Sequence, residues 1–235
     1  MPTITLRHSM LKRIQEINGA IHNKNDLSDL LPKMGCPVEL NDDDDIEIEV
    51  FPDRPDLLSH ETMARAVRSF QGDEAGVSSI EVSDSGIRIS VDGDLEGVRP
   101  IIMGAVVRGV NTGSGASERD SFIQSLMDHQ EKLHMTLGRK RSLASIGVHD
   151  LSKLKHPFRY EAVSGDFSFE PLASEDVMSI SEILDSHPKG IEYSKLMDGL
   201  ETYPIILDSN NEVISFPPII NGNHTTVSEL SLIHI

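Results

Sequence analysis

Tryptophan is absent, and aromatic residues make up only 4% of the 235-residue chain. A core must therefore rest on Ile, Leu, Val and Met. Cysteine is nearly absent too: Cys36 stands alone. One thiol excludes an intrachain disulfide and a cysteine-based zinc cluster, and it fits a reducing, cytoplasmic setting. Basic residues are scarce, 21 against 38 acidic ones, for a net charge of −17. So acidic a chain does not hold nucleic acid by bulk attraction to phosphate; an RNA contact needs a local basic patch or a partner. No apolar run is long enough to span a membrane. The opening Met-Pro-Thr-Ile-Thr-Leu lacks the basic and apolar parts of a signal peptide. An internal repeat, a phosphate-binding glycine loop, a serine nucleophile elbow and a zinc signature are also missing. What remains is a soluble packed protein, 38% hydrophobic and 25% charged, long enough for one large or two modest domains.

What is present is pattern. Residues 3–6 read as a short strand, and Leu11, Ile14, Ile17 and Ile21 recur at helical spacing. Asn25-Asp26 predicts the cap of a second helix bearing Leu27, Leu30 and Leu31 and stopped by Pro32. The acidic run 42–45 is a solvated turn, because consecutive carboxylates diverge rather than converge on a metal. Residues 46–50 alternate as a half-buried strand. In the proline-stiffened turn 51–61, Arg54 lies between aspartates, and Asp56 or Ser59 starts a helix holding Leu58, Met63, Ala66, Val67 and Phe70. Ile80 and Val82, then Ile87, Ile89 and Val91, predict a hairpin around Asp84-Ser85-Gly86, with a domain boundary near Gly97. The apolar run over 99–110 (Ile101, Ile102, Met103, Ala105, Val106, Val107) reads as a central strand or a buried helix segment. The longest helix is expected over 117–137, its stripe of Phe122, Ile123, Leu126, Met127, Leu133 and Leu137 facing a core. Strands over 142–146 and 158–163 follow. A helix over 181–187 ends near Pro188-Lys189-Gly190, and a hairpin of 203–208 with 213–215 turns at Ser209-Asn210-Asn211.

That hairpin delivers the stretch with most chemistry, 215–226 (SFPPIINGNHTT). Two prolines stiffen the backbone and remove two donors. Two β-branched residues extend it. Asn-Gly-Asn-His-Thr-Thr then rings one flexible residue with donors and acceptors. Such a segment is either a strand ending in a surface turn or a loop that holds a small polar ligand. Arg139-Lys140-Arg141 is the densest basic cluster, suited either to complement a helix C-terminus or to meet a polyanion. His149-Asp150 is either an acid–base pair or a turn with a capping aspartate. Neighbours on a strand face opposite ways, which favours the cap.

Residues 51–59 (FPDRPDLLS), 138–151 (GRKRSLASIGVHDL), 157–160 (PFRY) and 215–226 occur together in this order. In that order they resemble the β subunit of phenylalanine–tRNA ligase, of the archaeal and eukaryotic-cytosolic type. The resemblance runs from Met1 to about Glu229. It implies an α+β chain: a small N-terminal α/β domain over 1–97, then a mixed α+β editing domain over 98–229, truncated before the family pattern ends. Such a domain hydrolyses tyrosine wrongly joined to tRNA(Phe). An apolar pocket shaped for phenylalanine rejects one added hydroxyl by only about 10²-fold unless built to penalise it. By resemblance Ser215 and Asn221 position water or substrate. Pro217, Pro218, Ile219 and Ile220 form the pocket wall, Arg141, His149 and Asp150 lie at its side, and Arg139 and Lys140 meet the tRNA end. ATP and Mg²⁺ serve the whole enzyme and none is expected on this segment. An α subunit, in a heterotetramer, and tRNA(Phe) are the implied partners, with no membrane.

Two other readings compete: an editing-like module that binds RNA or protein without catalysis, and a free-standing hydrolase. The final 230–235 (LSLIHI) departs from the family pattern. It matches an in-frame translation of the transposon-end adapter of sequencing libraries.

Overall fold

A computed structural model describes residues 3–6, 24–40, 45–72, 80–113 and 115–227. The fold is α+β, in two compact units: Met1–Glu81 with Ser121–Leu143, and Val82–Asp120 with Ala144–Ile235. The chain thus passes from one unit to the other at Glu81, at Asp120 and at Leu143, where the sequence suggested one boundary near Gly97. The expected helix over 11–21, most of the acidic run and the tail over 230–235 lie outside the described residues.

The first unit is built on β1 (Thr3–Leu6), β2 (Val38–Leu40) and β3 (Ile46–Glu49), antiparallel in the order β1-β3-β2. Strand β3 alternates as expected: Ile46 and Ile48 are buried while Glu47 and Glu49 stay half-exposed. Ile4, Leu6, Leu31, Val50 and Met63 join them in one core. Each such side chain contributes about 1.5–3 kcal/mol by leaving water. Helix α1 (Lys24–Leu30) gives way at Pro32 to a 3₁₀ turn, Leu31–Met34, closed by left-handed Gly35 (φ 81°). Helix α2 (His60–Gln71) starts at Ser59, whose hydroxyl accepts the Thr62 N–H while Thr62 accepts the Ser59 N–H. Of its two aspartate neighbours Arg54 chooses Asp56, with bonds of 3.0 and 2.9 Å.

Helix α3 (Ala116–Met135) confirms the longest predicted helix, but most of its apolar stripe is half-buried rather than fully buried. Its buried residues are polar: Ser125 donates to the Glu61 carboxylate and His134 pairs with Glu131. Leu133 packs against the first unit's core, whereas Leu137 is exposed. The stripe marked the helix correctly and overstated its burial.

The second unit holds β4 (Ile89–Val91), β5 (Phe158–Val163), β8 (Tyr203–Leu207), β9 (Val213–Phe216) and β10 (Ile220–Asn221) in the order β10-β9-β8-β5-β4. Strands β4 and β5 are parallel; the other neighbours are antiparallel. A separate hairpin, β6 (Ser168–Phe169) with β7 (Met178–Ser179), leads into α4 (Ile180–Ser186), which Ser179 and Glu182 cap reciprocally. Pro188 then opens α5 (Pro188–Tyr193), a position where its missing N–H costs nothing. The β8–β9 hairpin is the predicted one. Asp208 accepts the N–H groups of Asn210 and Glu212, and Asn211 is left-handed.

Three predicted strand features do not form. The hairpin at 84–86 is replaced by a local loop in which Arg88 clasps Asp84 at 2.7 and 2.8 Å, and β4 pairs instead with β5. Residues 142–146 are a turn and irregular chain, with Leu143 and Ile146 exposed. The apolar run over 99–110 has no regular structure. In each case the local pattern favours a strand, but a strand exists only where a neighbour pairs its backbone.

Candidate functional site

The site grows from the β9–β10 hairpin. Its turn holds Pro217-Pro218, joined by a cis peptide bond and closed by the Ile219 N–H to Phe216 O bond at 2.8 Å. Register places Ser215 opposite Asn221. Cross-strand partners share a face, and the Ser215 hydroxyl donates to Asn221 Oδ1 at 3.0 Å. With Oδ1 accepting, the Asn221 Nδ2 keeps two N–H groups to donate. The turn residues are less open. Pro218, Ile219 and Ile220 are buried, the last two within the core around Phe216, and Pro217 is half-buried.

A second segment meets this hairpin. His149 Nδ1 lies 2.9 Å from Thr225 Oγ1, and Thr225 Oγ1 lies 3.1 Å from Gly222 O and 3.3 Å from Ile214 O. A hydroxyl has one proton, and carbonyls only accept, so that proton goes to a carbonyl. His149 Nδ1 must then be the donor to Thr225. This assigns the tautomer and leaves Nε2 with a free lone pair. Burial pushes the His149 pKa down to about 4, so the ring is neutral at pH 7. Its Nε2 and Asn221 Oδ1 both lie within 3.5 Å of one point, the position a Cβ on Gly147 would occupy. Glycine at 147 therefore lets an imidazole acceptor and a carboxamide stand side by side.

Asp150 turns away from that point. It is 2% exposed and caps the 3₁₀ turn Leu151–Lys153, its Oδ1 accepting from Ser152 N and Oγ at 2.9 and 2.7 Å. Of the two readings of His149-Asp150, the capping aspartate is the one present. Lys153 Nζ donates to Thr226 O at 2.7 Å, and His224 Nε2 meets Lys153 O at 3.1 Å, fastening the two segments together. On the other flank Leu172 N–H binds Asn221 O, and Asn223 bonds to Glu170.

The basic cluster belongs to the first unit. Arg139, Lys140 and Arg141 are consecutive left-handed residues, with φ of 48°, 54° and 64°. For non-glycine residues that conformation costs roughly 1–2 kcal/mol each. Arg141 Nη2 is held by Glu131 at 3.0 Å. Burial opposes charge on Glu131, but its bonds from Arg141 and His134 outweigh this and hold its pKa low. Arg139 and Lys140 are exposed. A separate groove in this unit, lined by Met34, Gly35, Phe51, Pro52, Asp53 and Arg54, offers apolar walls, and its arginine is already engaged by Asp56.

The structure thus brings Ser215, Asn221 and His149 together. It gives Asp150 a supporting place, sets Pro218, Ile219 and Ile220 in the core, and puts Arg139, Lys140 and Arg141 in the other unit. Sequence reasoning missed Thr225 and Gly147. Thr225 stood inside the polar turn already singled out. Gly147 carried no signal beyond being a glycine two residues before the histidine.

No protein-family model matches the chain. Curated relatives do. The phenylalanine–tRNA ligase β subunit of Methanosarcina barkeri is 46% identical over 229 residues, and that of Methanococcoides burtonii is 44% identical over 229. Each match takes in 97% of this chain and 40% of the relative. The chain is a homologue of phenylalanine–tRNA ligase β subunits. A crystal structure of an N-terminal fragment of the phenylalanyl-tRNA synthetase β subunit from Pyrococcus horikoshii aligns with a TM-score of 0.81 at 30% identity. It covers 98% of this chain and 65% of that fragment. The homologue therefore spans about two fifths of the β subunits it matches, and it corresponds to their N-terminal part.

Proposed function

We propose that this β-subunit region edits: it hydrolyses the ester between tyrosine and tRNA(Phe) within a ligase completed by an α subunit. The carrying observation is the convergence of the Asn221 carboxamide and the free His149 Nε2 over Gly147. Hydrolysis needs a held water, a donor for the developing oxyanion and partners for the phenol. His149 Nε2 accepts a hydrogen bond from a water and so orients its oxygen. That oxygen attacks the ester carbonyl carbon, whose bond to the terminal ribose oxygen then breaks. One water proton passes to the ribose oxygen, and tyrosine leaves as the acid. With a pKa near 4, His149 is too weak a base to store the proton at neutral pH, so its work is positioning. Asn221 Nδ2 donates to the phenol oxygen of tyrosine. Phenylalanine has no oxygen there to meet it, which supplies the discrimination.

Ligation itself needs ATP and Mg²⁺. Among the described residues no three His, Cys, Asp or Glu side chains gather to hold a metal. Among the described residues no helix is long and apolar enough to cross a membrane. In the first unit Arg139 and Lys140 are exposed and supply a local positive charge for RNA.

The test is deacylation of Tyr-tRNA(Phe) by the full β subunit with its α partner. Asn221→Ala should lower the rate by about 10²-fold, as expected for loss of one aimed donor, with RNA affinity unchanged. RNA binding without hydrolysis in the unmutated enzyme would refute editing and establish the binding-module reading, which the weak basicity of His149 favours.

A further inference from the structure

Glycine at 222 is imposed by packing and not by a turn. Its φ of −72° and ψ of 146° are open to any residue, but a Cβ there would collide with Val213 O. Asn221, just before it, carries the carboxamide of the site. The two demands together create an Asn-Gly pair. A glycine next in the chain leaves its nitrogen unhindered toward the preceding carboxamide. The sequence has two such pairs, Asn18-Gly19 and Asn221-Gly222, and the second lies among the described residues. The reaction such a pair invites is ring closure. Gly222 N bonds to Asn221 Cγ and gives up its proton, the Cγ–Nδ2 bond breaks, and Nδ2 leaves as ammonia with that proton. Water then opens the succinimide, adding hydroxyl to one carbonyl carbon and a proton to the nitrogen. Opening at Cγ gives aspartate, and opening at the main-chain carbonyl gives isoaspartate. The fold holds both reacting groups in other bonds. Gly222 N–H donates to Ile214 O at 3.0 Å, and Asn221 Oδ1 accepts the Ser215 hydroxyl at 3.0 Å. Asn221 O accepts the Leu172 N–H at 2.9 Å, which fixes β10 from its other flank. A strand side chain stands across the sheet face, away from the next nitrogen along the chain.

We infer that Asn221-Gly222 is a deamidation site that the fold keeps closed, with Ser215 the residue that holds the carboxamide away from the Gly222 nitrogen. Ser215 is a positioning residue in this role. Closure of the ring requires β10 to part from β9, so that Gly222 N–H leaves Ile214 O and Asn221 Oδ1 leaves Ser215. Asn221 is only half-buried, so water reaches the succinimide once it has formed. The change is one-way, because the ammonia is lost. Its consequence rests on the editing reading: an ionised carboxylate at 221 has no N–H to donate to the phenol of tyrosine. The protection itself does not rest on that reading, since it concerns bonds within the hairpin.

The test incubates the full β subunit with its α partner, folded and in concentrated urea, and reads asparagine, aspartate and isoaspartate at 221 by peptide mass spectrometry. Conversion should be at least about tenfold slower in the folded enzyme. Ser215→Ala should speed it by about fivefold or more in the folded enzyme, whereas Ser215→Thr, which keeps the hydroxyl, should not. Conversion as fast in the folded enzyme as in urea would overturn the inference, and so would equal rates in the alanine and threonine variants. Should Ser215→Ala fail to fold, the unmutated enzyme decides: conversion at 221 should slow in step with hydrogen exchange at the Gly222 amide as urea is lowered. Conversion indifferent to that protection would overturn the inference. Asn221→Asp carries the charge of the product and should lower Tyr-tRNA(Phe) hydrolysis by about 10²-fold, as Asn221→Ala does. Full hydrolysis by Asn221→Asp would overturn the role of Asn221 in editing and not its protection by Ser215.

Discussion

Replacing Thr225 by valine keeps the β-branched shape and removes one oxygen. Thr225 is 1% exposed, so water cannot substitute. The loss can be followed group by group. Gly222 O also accepts the Thr225 N–H, and Ile214 O also accepts the Gly222 N–H, so both carbonyls keep a partner. The group left without one is His149 Nδ1–H, whose bond to Thr225 Oγ1 is 2.9 Å. One buried orphan costs about 1–3 kcal/mol. The imidazole can evade part of that by moving its proton to Nε2, which destroys the acceptor beside Asn221. Thr225→Val should therefore either destabilise the second unit by about 1–3 kcal/mol in urea or invert the tautomer seen in imidazole ¹⁵N shifts. Tyr-tRNA(Phe) hydrolysis should fall in both cases. Thr225→Ser, which retains the oxygen, should keep the native tautomer. Native stability and an unchanged ¹⁵N pattern in Thr225→Val would refute the assignment of His149 as an Nδ1 donor.

Acid should weaken the fold through His149. Its folded pKa, about 4, lies below the unfolded value near 6.5, so between those pH values the unfolded chain binds the extra proton. Stability is then full above pH 6.5 and is lost as pH falls toward 4, by up to about 3 kcal/mol. His149→Gln should flatten that part of the pH–stability curve, and an unchanged curve would contradict the burial. Lys140→Gly should act in the opposite direction. Relief of the left-handed backbone, roughly 1–2 kcal/mol, outweighs the added chain entropy of glycine, roughly 0.5–1 kcal/mol. A rise in Tm of a few degrees should accompany a shallower salt dependence of RNA binding, and a lower Tm would argue against that turn geometry.

Much of the fold was legible because its signals are local. The alternation in Ile46–Glu49, the Ser59 cap of α2, the proline after α1 and the strand Phe158–Val163 each depend on a few neighbouring residues. Ser215 and Asn221 were also within reach, since resemblance pointed to both and a tight hairpin sets them opposite each other. The failures share one cause. Residues 99–110, 142–146 and the hairpin at 84–86 all have strand-like composition, but pairing needs a partner distant in the chain, and composition does not name it.

From its sequence alone the chain determined its helices and most of its strands, its acidic character, its lack of an intrachain disulfide and the family it resembles. Only the tertiary structure decided that His149 donates to Thr225, that Gly147 leaves room for its free nitrogen beside Asn221, that Asp150 caps a turn, and that Arg141 belongs to another unit. The physical reason is range. Propensity and capping act within one turn of chain, whereas a proton's position or a packed void depends on residues some seventy positions apart, such as His149 and Thr225 with a separation of 76, and only folding brings these together.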